Sequence, residues 1–155
     1  MILDKPIYVG TSILDISKVC MMDFHYNVIQ KEFPGKYSLL YQDTDSFFYE
    51  IIHPDLYEWI KKNKTYFDLS ESLREDLKDN TNKKVLGKFK DEMNNLIIKE
   101  YIALNPKVYS INHLEKNEII NKKVLKGVSK AVVKNEITYN DYVNVLEKMK
   151  LFKKM

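Results

Sequence analysis

Residues 36–52 read KYSLLYQDTDSFFYEII. Aromatic and aliphatic residues run on both sides of one acidic tip, with no Gly or Pro inside. This predicts two short strands joined by a tight turn at Asp43-Thr44-Asp45. Side chains at i and i+2 of a strand share a face, so Asp43 and Asp45 are expected to project toward one point. Two carboxylates held there repel, which a divalent cation between them would offset. Mg²⁺ suits the pair, being commonly held by one or two carboxylates, with phosphates and water completing the octahedron. The plainer reading is a corner, since Asp and Ser are ordinary turn formers. An EF-hand loop is excluded, because its turn glycine and its Glu at the twelfth position are absent.

Upstream, TSILDISKVCMMDFHYNVIQKEFPGK has Ser12 and Asp15 in capping-box spacing. Ile13, Ile16, Cys20, Phe24 and Val28 follow at helical intervals until Pro34 and Gly35, which predicts a helix over about 11–32. Downstream, Pro54 followed by Leu56, Trp59 and Ile60 predicts a short helix. The polar stretch 68–84, with Leu69, Leu73 and Leu77 every fourth residue, is expected to be a surface helix or an insertion. VLGKFKDEM, LIIKEYIAL, KVYSINH and KKVLKGVSKAVVK read as a strand meander with Asn-rich connections. The tail ITYNDYVNVLEKMKLFKKM opens with Thr138 and Asp141 in cap spacing and reads as a helix. The fold class expected is α+β: helices packed on a mainly antiparallel sheet.

A chain of 155 residues suits one compact domain or a piece of something larger. Apolar content of 45%, with four Gly and four Pro, argues against a disordered chain. The net charge of +3 demands no polyanionic partner, although lysines cluster at 83–90, 122–134 and 148–154. The single cysteine, Cys20, excludes an internal disulfide framework and a zinc site built from thiolates, and suits a reducing compartment. Its helical spacing makes it a core residue, as for Met21, Met22, His25 and Trp59. MILDKPIYVG interrupts any signal-peptide core with an acid and a proline, and no run approaches a membrane span of ~18 apolar residues. The expectation is an intracellular protein, neither secreted nor in a membrane.

The string YQDTDS, residues 41–46, resembles motif C of family B DNA polymerases, Y-x-D-T-D-S on a palm hairpin, at every specified position. Downstream, PKVYS carries Lys107 and Tyr109 in the K-x-Y spacing that contacts the primer strand in the same family. The flanks PIYVGTSILDISKVCMMDFHYNVI, GKFKDE and KGVSKAVVKNEITYNDY look like the palm-to-thumb portion of protein-primed viral, organellar and Polinton-type polymerases. The resemblance spans nearly the whole chain. It implies a palm sheet bearing a metal-binding hairpin over residues 1–135, and the first helix of a thumb over 136–155. Asp45 would bind two Mg²⁺ ions, with Mn²⁺ as a substitute, and Asp43 would support the site or ligate through water. Tyr41, Thr44 and Ser46 would shape the hairpin, and Lys107, Tyr109 and Lys126 would meet the primer. The implied partners are a DNA primer-template, a deoxynucleoside triphosphate, the N-terminal polymerase portion and, for protein priming, a terminal protein. The implied location is a nucleus or a viral replication site.

The family's motif A, D-x-x-S-L-Y-P, and motif B, K-x-x-x-N-x-x-Y-G, do not occur in these residues, nor do acidic exonuclease motifs. Two-metal phosphoryl transfer depends on positioning, so the chain by itself is expected not to polymerise. Two alternatives stay open. One is a non-catalytic remnant or nucleic-acid-binding module. The other is a metal-dependent glycosyltransferase using the D-x-D, disfavoured because no α/β nucleotide-binding half precedes it.

Overall fold

The computed structural model describes residues 6–152, with side chains through 149. MILDK, and most of the lysine cluster at 148–154, lie outside the described residues and side chains. The chain divides into two compact units, the first ending at Asp91 and the second beginning at Glu92. Both contain helices and antiparallel strands, so the class is α+β. There are two small sheets rather than one, of two and three strands.

In the first unit, helix α1 (Ile7–Asp23) runs into a π-helical turn (Phe24–Ile29) and a last short turn, α2 (Gln30–Glu32). The helix starts four residues earlier than the Ser12 spacing predicts. Pro6, whose missing N–H costs nothing at a helix start, precedes it. Ser12 therefore lies inside the helix, where its hydroxyl donates to the Tyr8 carbonyl at 2.9 Å instead of capping. Gly35, at φ +68°, turns the chain into strand β1 (Tyr37–Asp43), which pairs antiparallel with β2 (Ser46–Ile51). The Ile52 amide donating to the Lys36 carbonyl at 2.8 Å closes the open end of this hairpin. A bulge between Leu39 and Tyr41 interrupts the register.

The core of this unit is mostly aromatic. Buried Phe24, Val28, Ile29 and Phe33 meet Tyr37, Phe47, Tyr49 and Ile51 of the hairpin. They also meet Trp59 of α3 (Leu56–Lys62), Phe67 and Phe89. Phe24 stacks on Phe89 with ring centroids 4.1 Å apart and takes Phe67 edge-on at 5.9 Å. Asp55 caps α3 by accepting from the Glu58 amide at 3.1 Å. Met21 is buried, whereas Cys20 is half-buried, its thiol directed at the Gly87 carbonyl.

Residues 68–84 form no helix. Turns predominate, held by Asp68, which accepts from the Ser70 and Lys84 amides at 3.0 and 2.9 Å, and by Asp79, which accepts from the Thr81 amide and the Lys64 ammonium. An antiparallel bridge of Leu69 with Asp79 lets the loop bury Leu69 and Leu77 while Leu73 stays 66% exposed, a pattern a helix of that period would not produce. The predicted strand at VLGKFKDEM is likewise turns with one bridge, Phe67 to Phe89. Its lysines serve locally: Lys88 reaches the Thr65 carbonyl and Lys90 pairs with Glu71.

The second unit holds a meander of three strands where four segments were expected, with β3 (Ile97–Asn105), β4 (Val108–Glu115) and β5 (Glu118–Leu125) in order. Lys116 and Asn117 both take positive φ, the geometry of a two-residue turn whose twist matches the strands. The segment KKVLKGVSKAVVK is not one strand. It leaves the sheet after Leu125 and becomes helix α4 (Lys130–Asn135), with the Ser129 hydroxyl accepting from the Val132 amide at its start. Thr138 caps α5 (Tyr139–Phe152), its amide and hydroxyl both donating to Asp141 at 2.7 Å. Tyr142 is buried with its hydroxyl on the Val124 carbonyl at 3.1 Å, which fastens α5 to the sheet. Among the described residues no helix is long and apolar enough to cross a membrane.

Two consequences can be measured. Phe24→Ala should destabilise the first unit by about 3–5 kcal/mol in urea unfolding, because one ring serves three aromatic neighbours. The Asp68 carboxyl is held below the ordinary range chiefly by the Lys84 amide and then by Ser70, and that of Asp79 by the Thr81 hydroxyl and then Lys64. Both folded values lie under the unfolded one, so the stability they confer is complete above about pH 4 and lost as pH falls through the folded values. Melting temperature should fall in acid for the parent chain and fall less steeply for Asp68→Asn.

Candidate metal centre and basic turn

The acidic tip is a two-residue hairpin loop. Asp43 ends β1 opposite Ser46, the first residue of β2, and Thr44 and Asp45 form the connection. Thr44 sits at φ +47°, a left-handed conformation that disfavours a β-branched residue by roughly 1–2 kcal/mol. Its hydroxyl donates to Asp43 Oδ1 at 3.0 Å, and the Ser46 hydroxyl donates to the Asp43 carbonyl at 3.1 Å. Both hydroxyls therefore close on Asp43, which is half-buried, while Asp45 is exposed. Strand alternation does not govern the pair as expected, because Asp45 lies in the loop beyond the last residue of β1. The turn is what places the two carboxylates at one tip.

Behind the tip, Tyr41 faces Phe48 across the ladder, and both are half-buried. Phe47 and Tyr49 continue toward the π-helical turn, where His25 lies parallel to the Tyr49 ring at 8° with centroids 5.9 Å apart. His25 Nδ1 and the Tyr49 hydroxyl share a 2.8 Å hydrogen bond. Burial, and then Tyr37 beside it, push the Tyr49 phenol above its usual value. The hydroxyl thus keeps its proton and can donate to the imidazole. This contact ties the π-helical turn to the strand that carries the tip.

Fitness for a cation follows from donor chemistry. Hard carboxylate oxygens at an exposed tip, one of them oriented by a hydroxyl, suit Mg²⁺. Among the described residues no third His, Cys, Asp or Glu joins them to form a cluster of three. Any further ligand would be water, a phosphate or a group outside these residues.

The remaining predicted residues belong to the second unit. Lys107, at φ +60° in the turn between β3 and β4, accepts at its carbonyl from the Lys126 amide at 3.0 Å, so the two lysines share one end of the meander. Gly127 follows at φ +93°, a conformation that frees the chain to turn from β5 toward α4. Tyr109 is half-buried on β4, opposite Ala103 and Val124, with its ring 6.3 Å from that of Tyr101. Sequence reasoning missed a polar ladder on the same sheet. The Asn121 amide donates to Ser110 Oγ at 2.7 Å and to Asn112 Oδ1 at 2.8 Å, and the Asn112 amide to Glu100 at 2.7 Å. Ser110 is fully buried. Polar residues at alternate positions of adjoining strands were the available signal.

No protein-family model matches the chain, and neither a curated protein nor a solved structure matches it.

The Tyr49 environment has a pH signature. Its folded value lies above the unfolded value near 10, so its contribution is complete below pH 10 and declines as pH rises through the folded value. Unfolding free energy should fall more steeply above pH 10 in the parent than in Tyr49→Phe. At neutral pH that variant should lose about 1 kcal/mol with its hydrogen bond.

Proposed function

We propose that the chain is the palm and thumb-start portion of a family B, protein-primed DNA polymerase. In the intact enzyme it would help add deoxynucleotides to a primer 3′ end. The observation that carries this reading is the coincidence of a string with a shape: YQDTDS falls on a two-residue hairpin with both aspartates at the tip and the Thr44 and Ser46 hydroxyls bonded to Asp43. The two small antiparallel sheets and the helices beside them are compatible with a palm.

In this reading Asp45 and Asp43 are the ligands this chain offers to Mg²⁺. When bound, such ions activate the primer hydroxyl and neutralise the triphosphate and its leaving pyrophosphate. The role of Thr44 is to hold the Asp43 carboxylate in one orientation, and that of His25 and Tyr49 is to keep the hairpin on its helix. Lys107 and Lys126 carry positive charge at one end of the meander, suited to primer phosphates, with Tyr109 on the adjoining strand. The partition into palm through residue 135 and thumb from 136 belongs to this proposal, as do the DNA, triphosphate, N-terminal polymerase portion and terminal protein as partners.

Two measurements test it. Mn²⁺ added to the chain should broaden the amide resonances of residues 43–46 ahead of all others, and Asp45→Asn should abolish that selectivity. In a polymerase that contains this chain together with motifs A and B, Asp45→Asn should reduce extension by more than the roughly 10–100-fold typical of outer-shell partners, with primer binding nearly unchanged. Retained extension would remove the hairpin from the chemistry. DNA binding that falls steeply with salt but ignores the metal would instead favour a nucleic-acid-binding module.

A further inference from the structure

Helix α1 has 17 residues, about 25 Å of helix, and from Ile7 to Met22 it carries one acid and one base, Asp15 and Lys18. Apolar residues lie all round it, yet Tyr8, Ile13, Ile16 and Val19 are 75%, 63%, 69% and 68% exposed. A helix apolar on every side is ordinarily buried. One face gathers several of the larger side chains. Val19, Met22 and Tyr26 lie along it, edged by Lys18, Asp23 and Asn27. Continued toward the N-terminus at intervals of three and four, the same stripe passes Asp15 and Ser12 and reaches Tyr8.

We propose that this face binds a second copy of the chain, α1 against α1 and antiparallel, with the two-fold axis passing between Asp15 and Lys18. Charge sets that arrangement. With the axis midway between positions 16 and 17, Asp15 of each copy faces Lys18 of the other, and the existing 3.3 Å pair within each helix becomes part of an alternating ring of four charges. A parallel pairing would set Asp15 on Asp15 and Lys18 on Lys18. The same axis puts Tyr8 opposite position 25, between Met22 and Tyr26 of the other copy, so that an exposed aromatic packs against that pair twice over. One helix face is less than the ~800 Å² per partner of a standard interface, which places the dimer among weak, transient ones. The inference does not depend on the polymerase reading, since it uses neither the hairpin nor the meander.

Sedimentation velocity of the full chain from micromolar to near-millimolar concentration tests it. The expected result is a reversible monomer–dimer equilibrium that weakens with salt. Lys18→Asp, which sets acid against acid, should raise the dissociation constant by at least about tenfold, as should Asp15→Lys. The double swap Asp15→Lys/Lys18→Asp should restore the dimer, and Tyr8→Ala should weaken it independently of salt. Near-UV circular dichroism checks that the aromatic core survives each change. A chain that stays monomeric over the whole range overturns the proposal, as does a dimer that ignores these substitutions or a double swap that fails to restore it.

Discussion

The first unit depends on Phe24. A two-stranded hairpin has too little surface to be stable alone in water, and β1 and β2 form nothing larger among the described residues. What holds them is the aromatic layer between the hairpin and the helix, in which Phe24 stacks on Phe89 and Phe89 in turn on Phe47 of the hairpin. The π-helical turn begins at Phe24. Its wider winding, an arrangement often found at functional positions, lets Phe24, His25, Val28 and Ile29 all serve that layer.

Polar groups then do what apolar burial cannot, which is to choose one arrangement among several. Residues 66–89 are anchored at their ends by Phe67 and Phe89, and the path between is written by carboxylates accepting backbone amides, Asp68 from Ser70 and Lys84, Asp79 from Thr81. In the meander the ladder from Asn121 through Asn112 to Glu100 pins strand register, because a slip of one residue would carry the polar groups to the other face. The acidic tip follows the same rule at smaller scale. A short hairpin with a strained Thr44 is kept in register by two hydroxyls bonded to the residue that begins its turn.

Much of this was legible in the order of residues. Aromatic and aliphatic runs around an acidic turn marked the hairpin at 36–52; of the four segments expected in the meander, LIIKEYIAL and KVYSINH are strands, and the final helix begins where Thr138 and Asp141 set a boundary. The tip residues were legible because they are contiguous, and a contiguous motif survives any uncertainty about the rest of the fold. The His25–Tyr49 contact was not, since it joins positions 24 apart and depends on how a helix lies across a strand. The leucines at 69, 73 and 77 misled for a related reason. Two of them are buried by a loop closing on itself, and spacing alone does not distinguish that closure from a helical stripe.

By itself, the sequence determined part of the local grammar: the turn that joins β1 to β2, the start of the final helix at Thr138, and the contiguous residues of the acidic tip. Those properties rest on interactions within a few positions, whose energetics the neighbouring residues settle. Tertiary structure alone decided that His25 meets Tyr49, that Lys107 and Lys126 meet across a turn, and that α1 keeps an apolar face in solvent. Each is a statement about groups distant in the chain or about what covers a surface. No pattern of neighbours specifies either, because burial and long-range hydrogen bonds are set by the packing of whole elements.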